Sequence, residues 1–107
     1  MSVVLLVLYP QPEDEEEFES EYLHEHLPLM RSLLDDAHRL RTSLVRRSPD
    51  VRSPYSRTAE IHFPTRDHFR EFVRSGKSEV GRASAMRIST GGPPVFLVCD
   101  PQAEEGT

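Results

Sequence analysis

The chain has 107 residues, 36% of them apolar, a formal net charge of −5 and one cysteine. That length fits one domain and no more. The thin spread of basic residues excludes a nucleic-acid binder with a concentrated basic face, and the lone Cys99 permits no internal disulfide and no cysteine-rich zinc site, which suits a reducing, cytoplasmic setting.

The opening "MSVVLLVLY" holds an apolar run of seven residues without a basic leader. It is too short to span a membrane and makes a poor signal peptide. Residues 3 to 9 instead read as a strand buried on both faces, since the run is continuous and rich in β-branched residues. "PQPED" stops it, and the acids that follow mark a helix start. Asp14 as N-cap with Glu17 three residues on makes a capping box, and further carboxylates suit the positive end of the helix dipole. The helix is expected over 14–26. Leu27 precedes Pro28, which predicts a kink or break there, with "PLMRSLL" restarting as a short helix.

Residues 38 to 47 alternate weakly and read as an edge strand, followed by the loop "SPDVRSP". Residues 57 to 63 alternate cleanly: Ala59, Ile61 and Phe63 share one face, Glu60 and His62 the other. Thr65 can cap a second helix with the stripe Phe69, Phe72 and Val73. "SGKS" interrupts it, and a short helix restarts at Ser78 through Val80, Ala83 and Met86. "STGGPP" is a turn cluster and "VFLVC", 95 to 99, a last apolar strand. Residues 1–100 thus make the domain, and 101–107 a frayed tail.

The order β-α-β-β-α-β is the split βαβ, ferredoxin-like α+β arrangement: a four-stranded antiparallel sheet with helices on one face. The outer strands of the order, residues 3–9 and 95–99, are apolar on both faces, so the second face also needs cover. A second copy packed sheet to sheet would supply it, which points to a homodimer, with Leu6 and Val98 on the partner face.

On a helical wheel with Phe18 at 0°, Tyr22 falls at about 40°, His26 at about 80° and His24 near 240°. His24 therefore faces solvent and His26 the core. His26 reads either as a core histidine bonded to a backbone carbonyl or as an acid–base group in a pocket between helix and sheet, kept neutral by desolvation. Tyr22, one turn earlier, could bond His26, donate to an oxyanion, or fill the core edge. Glu60 and His62 point away from Ile61, to a pocket or an interface with the partner. His24 and His26 diverge on a helix, and there is no HExxH and no dense carboxylate–histidine cluster, so no metal is expected. "GGPP" lacks the lysine and the helix of a phosphate loop.

The pieces "VLYPQPED" (7–14), Phe18, Tyr22, His26, Pro28 and Leu29, then Tyr55 to Phe63 and "TGGPPVFLV" (90–98), resemble the EthD family along nearly the whole chain. The resemblance implies a dimeric α+β barrel of ferredoxin-like subunits. The family's founding member is an accessory protein for the oxidative degradation of an ether. Similar barrels in aromatic polyketide pathways act as cyclases, dehydratases, decarboxylases or cofactor-free oxygenases. His62 departs from the aromatic residue that members often carry at that point.

The expected function is an enzyme acting on a small, apolar, aromatic or polyketide-like molecule by proton transfer, as in cyclases, dehydratases or other lyases. His26 would be acid or base, Tyr22 would polarise an oxygen, and Phe18, Leu29, Phe69 and Phe72 would form the wall, joined by Glu60 and His62. Such chemistry needs no cofactor. The rival readings are a non-catalytic binding or accessory dimer and a cofactor-free monooxygenase. A cavity reaching solvent with His26 on its wall would favour catalysis; a ring sealed against a carbonyl would favour the inert dimer.

Overall fold

The computed structural model describes residues 2–46 and 52–102. The loop expected at 48–54 and the tail at 101–107 lie in part outside these. Four antiparallel strands, β1 (Val3–Pro10), β2 (Arg39–Leu44), β3 (Tyr55–Phe63) and β4 (Val95–Cys99), form one sheet in the order β2-β3-β1-β4. This is the ferredoxin-like topology, and the helices lie on one face of it. Apolar residues of every second position on β1 and β3 (Val3, Val7, Tyr9, Ala59, Ile61, Phe63) pack against Phe18, Tyr22, Leu27, Met30, Phe72, Ala85 and Ile88 from the helices. Period-2 burial on strands meeting helical stripes is what closes a two-layer α+β core.

Register assigns the faces, because directly paired residues project to the same side. Leu6 pairs with Glu60 and Leu97, and Leu8 with Thr58 and Val95, so these share the face without helices. Leu5 pairs with Ile61 and Val98, which places Val98 on the helix-bearing face at the sheet's edge. The expectation that Val98 belongs to the partner face is therefore corrected by one step of the pleat: Leu97, 43% exposed, takes that place. β1 is locked at its end. The side chain of Gln11 donates to the carbonyls of Ser53 (3.1 Å) and Tyr55 (3.3 Å). A Cβ at Gly91 would lie 1.7 Å from the Gln11 carbonyl oxygen, so only glycine lets the 90s turn approach there.

The first helical segment departs from expectation. Asp14 caps it, its Oδ1 accepting from the Glu17 N–H at 3.0 Å. Beyond α1 (Glu15–Glu21) there is no break at Leu27. A π turn over Tyr22–His26 leads straight into α2 (Leu27–Leu33), with the Leu27 N–H on the Tyr22 carbonyl. The physical reason lies in Pro28, which lacks an N–H and would clash with the carbonyl four residues back in a regular helix. A wide turn immediately before it shifts those carbonyls and lets the helix continue.

The second helical segment is α3 (Arg66–Arg74), capped by Thr65, and α4 (Lys77–Ile88), separated by Gly76 at φ +82°. The buried side of α4 is Gly81, Ala85 and Ile88. The expected stripe was Val80, Ala83 and Met86, and all three are exposed. Small residues let α4 settle close to α2, where a Cβ on Gly81 would stand 2.8 Å from the Met30 sulfur. Close approach, not bulk, chose the buried side.

Candidate functional site

Between the helices and the sheet lies a cavity of about 460 Å³. Its wall is apolar, formed by Leu5 and Val7 of β1, Ala59 and Ile61 of β3, Leu40, Phe96, and Phe69 and Phe72 of α3. Exposed residues Val73, Glu79 and Arg82 stand at its rim, so it communicates with solvent. Tyr9, Tyr22, His26, Leu27 and Met30 also line it, as do Ser78, Gly81 and Ala85 of α4.

His26 comes from the π turn and is 4% exposed. Its Nε2 lies 3.1 Å from the Tyr9 hydroxyl and its Nδ1 2.9 Å from the Ser84 hydroxyl of α4. Both ring nitrogens are satisfied by side-chain hydroxyls, and neither by a backbone carbonyl. Burial, aided by the nearby positive charge of Arg87, lowers its pKa from 6.5 to about 4. Arg87 is itself shared with Glu21 (3.8 Å) and Glu25 (4.0 Å) across the helix interface. Desolvation raises the Tyr9 phenol far above its ordinary value. The neutral forms of both groups are thus favoured, and a neutral imidazole accepts one hydrogen bond and donates the other.

Tyr22 is placed differently from expectation. Its hydroxyl lies 2.8 Å from Thr42 Oγ1, not on His26. Thr42 spends its one proton on the Thr58 carbonyl (3.1 Å) and also accepts from Arg57 Nη1 (3.0 Å). The Tyr22 proton must therefore point at Thr42, which leaves it none for a ligand. Arg57 in turn donates bidentately to Glu19, its Nε at 3.0 Å, and lies 4.5 Å over the Tyr22 ring. The Glu19 hydrogen bonds, first among several causes, raise the Arg57 pKa further. This buried network holds Tyr22 as a rigid wall.

Of the other sequence-derived candidates, Phe69 and Phe72 line the cavity. Phe18 is buried behind it, its ring 5.5 Å from that of Tyr9, and supports the wall without touching the space. Leu29 is half-buried off the lining, and Leu27 and Met30 take its place. Glu60 and His62 face the open side of the sheet, away from the cavity. His24 is exposed and turns back to the Ser20 carbonyl (3.0 Å). Among the described residues no group of three or more His, Cys, Asp or Glu is placed to hold a metal ion, and no helix is long and apolar enough to cross a membrane. Sequence reasoning missed Tyr9 and Ser84. Tyr9 was visible as the last residue on the Leu5–Val7 side of β1, the one polar tip in that row; Ser84 carried no signal.

No protein-family model and no curated protein matches the sequence. Solved structures do. An EthD family protein from Bacillus halodurans superposes with a TM-score of 0.82 at 23% identity, over 95% of this chain and 100% of its own. A dimeric ferredoxin-like protein of unknown function from a Jannaschia species gives 0.71 at 12%, over 94% and 100%. SnoaB, a cofactor-independent oxygenase from Streptomyces nogalater, gives 0.63 at 14%, over 96% and 95%. The residues that resemble the EthD family are thus carried on the fold of a solved EthD-family structure, a ferredoxin-like α+β subunit.

Proposed function

We propose that this chain is a small-molecule enzyme of EthD-like type that moves protons on an apolar, aromatic or polyketide-like substrate. The observation that carries the reading is the hydrogen-bonded row Tyr9–His26–Ser84 on the wall of a solvent-connected apolar cavity. In one tautomer Ser84 donates to Nδ1, Nε2–H donates to Tyr9, and the Tyr9 proton is free for a substrate oxygen. Passing that proton on shifts one proton along each hydrogen bond, and half-exposed Ser84 replaces the proton it gives up from solvent, so the substrate is protonated while no imidazolium, phenolate or serine alkoxide remains. In the other tautomer the Tyr9 oxygen accepts a substrate proton, Nε2 takes the phenolic one, and Ser84 receives the Nδ1 proton while releasing its own to solvent. A site that disfavours both ions by burial suits this neutral, two-way shuttle. Tyr9, not Tyr22, takes the role of the oxygen-facing hydroxyl, with His26 as its proton partner. Cyclisation, dehydration and other lyase reactions need no more than this.

The fold shared with SnoaB favours a second reading, a cofactor-free oxygenation. It differs in requiring an electron-rich substrate that reacts with oxygen itself. We also propose a homodimer built on the face carrying Leu6, Leu8, Val95 and Leu97, as a single 1–100 domain paired sheet to sheet. The dimeric state of the Jannaschia protein supports it.

The shuttle is tested without the true substrate by deuterium uptake at C1 of 2-tetralone in D2O, read by mass spectrometry. Wild type should exceed the uncatalysed rate. Tyr9→Phe and His26→Gln should each lower that excess by roughly 10²–10⁴-fold, the usual worth of an acid–base group. Unchanged exchange in both variants would leave the cavity as a binding site of an accessory protein.

A further inference from the structure

Two residues of the cavity lining carry full charges, Glu79 and Arg82, both from the first half of α4. The Arg82 guanidinium stands 5.5 Å from the centre of the Phe96 ring on edge strand β4. That stacking holds a cation at the rim without neutralising it. Two other arginines beside the helices are answered by carboxylates: buried Arg57 by Glu19, and exposed Arg87, five residues on in α4, by Glu21 and Glu25. Among the described residues no carboxylate forms an ion pair with Arg82, although Glu79 is only three residues away. A guanidinium so placed has a planar fork of donors that matches one ligand group best, a carboxylate.

The two ends of the cavity also differ. Ser84 reaches His26 from one flank of α4. Arg82, about 160° around the helix from it, reaches the opposite flank over β4. The apolar space beneath α4 joins the two. We propose that the cavity takes an apolar acid: a hydrocarbon or aromatic body between Ile61, Phe72 and Phe96, a carboxylate on Arg82 at the rim, and the reacting carbon or oxygen at Tyr9. Arg82 is then the residue that sets which way round the substrate enters, and Glu79 tempers its pull. This rests on the cavity being the ligand site proposed above.

Calorimetric titration of the full chain with 2-naphthoate and with neutral 2-naphthamide tests it. The acid should bind about tenfold tighter, as expected for one charge-assisted contact at a wet rim. The preference should shrink at high salt, vanish in Arg82→Gln, and grow in Glu79→Gln. His26→Gln should retain it. Equal binding of acid and amide by wild type, or a preference that survives Arg82→Gln with an unchanged melting curve, would overturn the assignment of Arg82. Binding of neither probe at millimolar concentration would overturn the ligand site and the acid together. The deuterium-uptake experiment reports on the shuttle separately, so loss of one reading is not mistaken for loss of the other.

Discussion

A buried histidine must find partners for two nitrogens, and His26 finds both in hydroxyls that differ in character. Tyr9 is sealed and faces the cavity; Ser84 is half-exposed. Two tyrosines flank the ring, and their networks separate them. Tyr9→Phe should abolish proton shuttling and leave stability within about 1 kcal/mol beyond one lost hydrogen bond. Tyr22→Phe should spare shuttling but remove one of the two hydrogen bonds that Thr42 accepts, lowering the melting temperature; deuterium uptake and thermal unfolding of the same two variants decide. His26 also predicts a pH dependence. Its folded pKa, about 4, lies below the ordinary 6.5, so the unfolded chain takes up a proton first as pH falls. Stability present above pH 6.5 should decline through that window, by up to about 3 kcal/mol. His38, also lowered chiefly by burial, adds in the same direction. Urea unfolding at pH 7 and pH 4.5 should show a smaller difference in His26→Gln than in wild type. His26 was legible from the sequence because helix phase alone separates it from His24. The pairing of the Tyr9 hydroxyl with His26 was not, since the two sit 17 residues apart on different elements.

The π turn explains why Leu29, expected on the wall, lies off it, as a wheel drawn from Phe18 shows. Continued at 100° per residue, it places Leu29 near 20° and Leu27 at about 180°. The π turn adds the equivalent of one residue, turning everything after it back by about 100° and bringing Leu27 and Met30 inward instead. Leu27→Ala should therefore cost about 2–4 kcal/mol in chemical denaturation and Leu29→Ala under about 1. Equal costs would mean that the helix runs through without the insertion. In α4 the failure has another cause. Val80, Ala83 and Met86 make the more hydrophobic side, but Gly81 and Ala85 allow the closer contact, and contact distance is invisible in hydropathy. Gly81→Ala tests the fit: the added methyl must displace the flexible end of Met30, which lines the cavity. The expected outcome is near-neutral stability, because about 1 kcal/mol of helix propensity offsets the shift, with changed affinity for 2-naphthamide.

At the scale of the molecule, element order and strand type were readable because continuous apolar runs and clean alternation are strong signals. Topology then followed from β-α-β-β-α-β alone. What could not be read was which side of β4 faces which layer, since "VFLVC" is apolar on both and offers no alternation. The proposed dimer depends on that assignment. Leu6→Glu and Leu97→Glu put a charge on the open face and should give monomer or aggregate in sedimentation experiments. Val98→Glu, on the helix-bearing face at the edge, should leave association intact. A stable wild-type monomer at micromolar concentration would end the dimer proposal.

β1 serves two masters one peptide apart. Leu5, Val7 and Tyr9 look into the cavity, while Leu6 and Leu8 look out of the opposite side of the sheet. A strand of this kind tolerates substitution far better than a change in length. Removing one residue within Val3–Leu8 would slide the remainder by one position, because Gln11 and Gly91 pin its far end. Every side chain upstream of the deletion would then change sides. This strand can therefore exchange one apolar residue for another, whereas insertions and deletions fit only in the turns beyond it.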